Sequence, residues 1–281
     1  MRRRFHQLDV FSAVPLKGNP LAVVHSAQGL SDDDMAAFAR WTNLSETTFL
    51  LPPTDAAAAA ADYRVRIFTP GGELPFAGHP TLGSCHAWLA AGGAPRDADV
   101  VVQECGVGLV RIRRSGGRLA FGAPPLRRTG PLEAELLQRI VAATGLTMQD
   151  VLHHQWVDNG PGWCAVMLKS AAQVLGVKVD ASMLGGIKLG LVGPHPTGGP
   201  CAFELRALFH DGPMMIEDPV TGSLNASVAQ WLIGAGLAPS SYVAGQGAVL
   251  QRDGRVYIEK LGDTVWVGGD VVACIVGEVE L

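Results

Sequence analysis

Glu73-Leu74-Pro75-Phe76-Ala77-Gly78 and Glu217-Asp218-Pro219-Val220-Thr221-Gly222 spell one pattern, Glu-x-Pro-x-(Ala/Thr)-Gly, 144 residues apart. The first runs on into His79-Pro80-Thr81-Leu82-Gly83 and the second into Ser223-Leu224-Asn225-Ala226-Ser227. Each leads into an apolar stretch carrying one tryptophan, Trp88 or Trp231. The offset is close to half of the 281 residues. Two similar halves are therefore expected, each presenting a helix N-terminus, with the two helix starts facing a shared cleft.

The helices after the motif, expected at 80–91 and 224–236, are apolar on nearly every face and carry few charges. A helix apolar all round is a buried helix. Strands are expected at 5–11, 20–25, 46–52, 62–68, 98–103, 107–113 and 118–122, then at 163–168, 202–209, 248–252, 255–260, 264–268 and 271–276. Their β-branched and aromatic content is punctuated by Gly, Pro and Asp. Many short strands around a buried helix give an α+β fold of two similar domains, each a barrel-like, mostly antiparallel sheet around a central helix. Pro124, Pro125 and Gly130 place the boundary, giving domains at 1–125 and 126–281. Ser31-Asp32-Asp33-Asp34 starts a surface helix through about Trp41, and a second is expected over 131–144, with Pro131 in its first turn and Gly145 ending it.

Bulk properties narrow the function. Hydrophobic residues make up 48% and charged residues 17%, the balance of a well-buried globular protein. A formal net charge of -4 without a long basic run leaves no footprint for a nucleic-acid partner. Arg2-Arg3-Arg4 is followed by no signal-peptide apolar region, and no apolar run reaches the ~20 residues of a membrane span. Cys85, Cys105, Cys164, Cys201 and Cys274 are scattered without a C-x-x-C pair and read as free thiols in a reducing cytoplasm.

A helix N-terminus leaves backbone N–H groups without internal partners and carries partial positive charge. Gly78 and Gly222 let a ligand approach the backbone closely, so carboxylates and developing enolates are natural guests. One such turn alone reads as an ordinary capped helix start; two copies at half-chain spacing point to a shared site. His79 follows Gly78 and Asp218 precedes Gly222, and histidine can both give and take a proton near neutral pH. Glu46, in Asn43-Leu44-Ser45-Glu46-Thr47, is the third acid–base candidate. Applying the 144-residue offset to it lands near Gly190-Leu191-Val192, where there is no acid. That asymmetry suits a one-way proton shuttle. His79, Cys85 and His86 lack a carboxylate to complete a metal set. Gly106-Val107-Gly108 lacks the rest of a dinucleotide fingerprint.

With these residues in place a resemblance is visible. Leu8-Asp9-Val10-Phe11, Gly18-Asn19-Pro20, Asn43-Leu44-Ser45-Glu46-Thr47 and Phe76-Ala77-Gly78-His79-Pro80-Thr81 resemble the PhzF-like (phenazine biosynthesis) family. Glu217-Asp218-Pro219-Val220-Thr221-Gly222-Ser223 matches that family's second signature, and Gln246-Gly247 and Gly268-Gly269 fit its C-terminal strands. The resemblance implies a relative of diaminopimelate epimerase and a cofactor-independent isomerase, as the namesake isomerises trans-2,3-dihydro-3-hydroxyanthranilate. It also implies a homodimer. Carried over, Glu46 abstracts a carbon-bound proton, His79 and Asp218 relay or return it, and Gly78, Gly222 and Ser223 hold a small carboxylated substrate. The epimerases of the wider superfamily place a cysteine at each helix start where this chain has Gly78 and Gly222. The rival expectations are an amino-acid epimerase-like enzyme, weakened by the missing thiols, and a non-catalytic small-molecule binding protein.

Overall fold

The computed structural model describes residues 1–211 and 214–281. The chain divides into two compact units, 1–122 with 268–281, and 123–267.

In the first unit, β1 (Arg2–Val10), β2 (Asn19–Val24), β3 (Glu46–Leu51), β4 (Tyr63–Thr69), β5 (Gly72–Leu74), β6 (Val100–Cys105), β7 (Gly108–Ser115) and β8 (Arg118–Gly122) are joined by the C-terminal strand β17 (Val271–Glu280). β1 pairs antiparallel with both β17 and β2. β2 runs parallel to β3, and β3 pairs antiparallel with β4. β4 continues to β5 antiparallel and to β6 parallel, followed by the β6–β7–β8 meander. The helix α2 (Gly78–Ala90) packs against β1, β2, β3, β6, β8 and β17, so the sheet wraps around it. The outer helix α1 (Asp32–Thr42) carries the full capping box between Ser31 and Asp34.

The second unit repeats the design. Its strands are β9 (Val151–Trp156), β10 (Trp163–Leu168), β11 (Lys188–Pro194), β12 (Phe203–Asp211), β13 (Met214–Asp218), β14 (Ser241–Gln246), β15 (Gly254–Leu261) and β16 (Thr264–Gly269). β9–β10, β11–β12, β12–β13 and β14–β15 are antiparallel, whereas β10–β11 and β12–β14 are parallel. The central helix is α6 (Gly222–Gly234), and α3 (Ala134–Thr144), α4 (Ala171–Gly176) and α5 (Ala181–Leu184) add a second layer. Leu137, Ile140, Val174 and Leu184 pack there with Cys164, Val166, Leu189 and Leu191. Among the described residues no helix is long and apolar enough to cross a membrane.

Several expectations need correction. Residues 268–281 belong to the first unit, not to a second domain running from 126 to 281, because β17 pairs along the length of β1. The stretch 248–252 is a turn rather than a strand: Gly247 and Gln251 both hold left-handed backbone, with a short 3-10 helix between them. α3 starts at Ala134, since Trp156 N–H bonds the Gly130 carbonyl and Leu132 N–H bonds His154 Nδ1, which holds 130–132 against β9. β11 escapes a propensity reading because it contains Gly190 and Gly193. A Cβ on Gly190 would stand 2.6 Å from Leu224 of α6, and one on Gly193 would stand 2.5 Å from the Ser170 carbonyl oxygen. Both glycines let helices close on the strand.

The two central helices begin at the motif glycines, two residues before their expected starts. Although apolar outside, each is anchored by buried polar contacts. Gln103 Nε2 donates to Thr81 Oγ1 (3.1 Å) in the first unit, and Asn225 Nδ2 donates to Gln246 Oε1 (2.8 Å) in the second. The repeated glutamate is structural in both: Arg66 clasps Glu73 through two hydrogen bonds, and Arg206 clasps Glu217 in the same way.

One buried pair gives the fold a pH dependence. His25 Nε2 and His6 Nδ1 lie 2.9 Å apart, both rings enclosed. Burial, helped by the charges of His6 and Arg4, pushes His25 down to about 4; burial, Arg4 and His86 also lower His6. Folded-state values below the unfolded value of 6.5 mean that the unfolded chain binds more protons in this window. Stability is therefore full above about pH 6.5 and falls as pH drops toward 4. Urea midpoints measured from pH 7.5 down to 4.5 should decline, with a shallower slope in His25→Gln; a midpoint that rises on acidification would contradict the account.

Candidate active site

Parallel pairing of β2 and β3 sets Leu21 opposite Glu46 and brings the start of both strands to one place. Asn19, the first residue of β2, is held there because Asp9 accepts a hydrogen bond from Gly18 N–H (3.3 Å) and Asn19 pairs with Val10. α2 docks on β3 through Ser84 Oγ, which donates to Thr48 Oγ1 at 2.9 Å. Thr48 lies two residues from Glu46 on the same strand face, so the N-terminal end of α2 falls beside Glu46.

The result is a contact between His79 Nε2 and Glu46 Oε2 at 3.4 Å, with Asn19 Nδ2 3.4 Å from His79 Nδ1. His79 is 5% exposed. Burial pushes its ring down to about 3, outweighing a hydrogen bond to the Pro20 carbonyl that favours the charged form. The simple expectation of a histidine titrating near neutrality is therefore corrected: the ring is neutral throughout the physiological range. A neutral imidazole can accept a hydrogen bond from Glu46 once that carboxyl has taken up a proton, without carrying a charge of its own.

The second cluster is built at the start of α6. Asp218 Oδ2 accepts from Thr221 Oγ1 at 2.5 Å. Gln246 organises the turn: its Nε2 donates to the Asp218 carbonyl and to Thr221 Oγ1, both at 3.0 Å, while its Oε1 accepts from Thr221 N–H at 3.0 Å. Ser223 Oγ accepts from Trp163 Nε1 (3.0 Å) and its carbonyl accepts from Asn159 Nδ2 (2.9 Å). With the oxygen already accepting, the Ser223 hydroxyl proton is available to a ligand.

Neither central helix is capped by a side chain. The cap residues are Ala77 and Thr221, both extended, so Ser223 is the second residue of α6. The first backbone hydrogen bonds of the two helices run from Thr81 N–H and Asn225 N–H, which leaves the N–H groups of Gly78, His79, Gly222 and Ser223 outside the helices' own ladders. The six proposed site residues thus fall into two groups. Glu46, His79 and Gly78 meet in the first unit; Asp218, Gly222 and Ser223 meet in the second. Asn19, Trp163 and Gln246 complete these groups. Only Asn19 and Gln246 carried any prior signal, as parts of Gly-Asn-Pro and Gln-Gly, and neither type nor spacing assigned them a partner.

Cys85, Cys105, Cys164 and Cys201 are buried thiols. Burial pushes both Cys85 and Cys164 up to about 12.

Comparison with known proteins agrees with this architecture. The profile of the family described as phenazine biosynthesis-like protein matches residues 8–277. "Antisense-enhancing sequence 1" of Schizosaccharomyces pombe is 33% identical over 98% of this chain and 97% of its own length. A trans-2,3-dihydro-3-hydroxyanthranilate isomerase of Pseudomonas aeruginosa is 42% identical over 118 residues, which cover 41% of this chain and 40% of that enzyme. Among solved structures, a predicted epimerase from the same species superposes with a TM-score of 0.78 at 28% identity, covering 99% of both chains. The chain belongs to the phenazine biosynthesis-like protein family.

Proposed function

We propose that this enzyme is a cofactor-independent isomerase that moves a proton on a small carboxylated metabolite, similar to trans-2,3-dihydro-3-hydroxyanthranilate isomerase. The observation that carries the reading is the Glu46–His79 contact at 3.4 Å beside an uncapped helix start. Glu46 acts as the base that takes the carbon-bound proton. The neutral His79 ring relays it, and Asp218 takes part in its return. Ser223 and the N–H groups at Gly78 and Gly222 hold the substrate's negative charge. A homodimer, by likeness to the family's namesake, and a cytoplasmic location, suited to the scattered free thiols, complete the proposal.

An epimerase working through two opposed thiols is disfavoured, since glycine occupies both helix starts and the Cys85 thiol is held up to about 12 by burial. Incubation with trans-2,3-dihydro-3-hydroxyanthranilate and related unsaturated carboxylates in heavy water separates an isomerase from a binding protein. Deuterium should enter the migrating position of the product at the rate of turnover. Binding with no solvent label in any ligand and no isomer formed would refute the enzyme reading.

A further inference from the structure

The repeat assigns Glu46 a counterpart in the second unit once strand register replaces sequence offset. In the first unit Glu73 pairs with Phe68, Phe68 with Thr47, and Glu46 precedes Thr47. In the second, Glu217 pairs with Leu208, Leu208 with Leu189, and Lys188 precedes Leu189. The parallel neighbours agree: Leu21 stands opposite Glu46 and Trp163 opposite Lys188. A lysine thus occupies the place of the base, just as Ser223 occupies the place of His79.

Lys188 also lies on the face of β11 that meets α6. Gly190, two residues on, would touch Leu224 of α6 with any Cβ, while Leu189 and Leu191 point into the α3–α5 core. Trp163, level with Lys188 on the neighbouring parallel strand, reaches Ser223 Oγ with its indole N–H. Gly190 faces the third residue of α6 and Trp163 reaches the second, so the strand position of the half-buried Lys188 is level with the start of that helix. A cation there adds to the positive end of the helix, a repulsive placement unless an anion joins it. Among the described residues no carboxylate pairs with the Lys188 ammonium.

We infer that Lys188 selects an anionic substrate, binding its carboxylate together with the Ser223 hydroxyl and the Gly222 N–H. The inference rests on the isomerase reading only in naming that carboxylate as the substrate's. At the Glu46-equivalent position the second unit thus carries a cation where the first carries its proposed proton acceptor.

The test is calorimetric binding of 3-hydroxyanthranilate and of 2-aminophenol, which lacks the carboxylate, at fixed ionic strength. The wild-type protein should prefer 3-hydroxyanthranilate. Lys188→Met should weaken that binding by about 10- to 100-fold, the range for a hydrogen bond to a charged group, and leave 2-aminophenol unchanged. Lys188→Arg should retain most of the affinity. The assignment is overturned if Lys188→Met binds the carboxylate as the wild type does, if both probes weaken equally, or if the wild type shows no preference. Circular dichroism checks that the variants are folded, and a loss of binding counts only with the wild-type spectrum retained. Failure of the heavy-water exchange alone would remove the isomerase reading and leave this binding result standing.

Discussion

Glu46→Gln should lower turnover by about 10²- to 10⁴-fold, the usual contribution of a positioned acid–base group. The side chain keeps its shape and loses the basic oxygen next to His79 Nε2. Its carboxylate is 15% exposed and its partner 5%, so no solvent-borne group replaces it easily. Because the change is isosteric, the thermal midpoint should move little and the defect should appear in kcat and in the rate of deuterium uptake. Full turnover by the variant would remove Glu46 from the role of base. His79 gives a complementary check. With its ring pushed down to about 3 by burial, imidazole carbon and nitrogen shifts should report the neutral form down to pH 5. An acid limb of activity above that pH should then persist unchanged in position when His79 alone is varied.

Arg206→Met should be the most destabilising of the motif variants, at about 3–5 kcal/mol, because it leaves the Glu217 carboxylate buried without its partner. Arg206 and Glu217 side chains are 6% and 10% exposed, and the guanidinium also donates to the Val174 and Val177 carbonyls at 3.2 and 2.7 Å. The equivalent Arg66–Glu73 pair is 16% and 41% exposed, so Glu73→Gln should cost no more than ~1 kcal/mol. Converting both Arg206 and Glu217 to apolar residues should recover much of the loss, since a well-packed replacement avoids the desolvation of two charges. Urea unfolding measures all three. Equal costs for the buried and the half-exposed pair would show that burial does not govern them. The repeated motif would then owe its glutamates to something other than this ion pair.

Local chemistry made much of the fold legible. The two apolar helices follow from composition alone, since a run without a polar face has nowhere to go but a core. The Ser31–Asp34 capping box is a contact over three residues and was readable as such. By contrast, β11 was hidden because Gly190 and Gly193 are poor strand formers, kept for the approach of Leu224 and Ser170. The strand misplaced at 248–252 reflects the same limit: left-handed backbone at Gly247 and Gln251 outweighs the apolar run between them.

By itself the sequence determined that this protein has two halves, that each carries a buried apolar helix just after the repeated motif, and that Glu46, His79, Asp218 and Ser223 are its acid–base and polar candidates. Those facts are written in composition and short-range spacing. Which groups meet was decided only by tertiary structure. The separation of 33 positions between Glu46 and His79 says nothing of a 3.4 Å contact until β2, β3 and α2 pack together. Unequal insertions between the two halves shift the offset from 144 at the motif to 142 at β11, so counting along the chain reaches Gly190 where strand register reaches Lys188. The neutrality of His79 has the same origin: a pKa belongs to the side chain's surroundings, and those are made by folding.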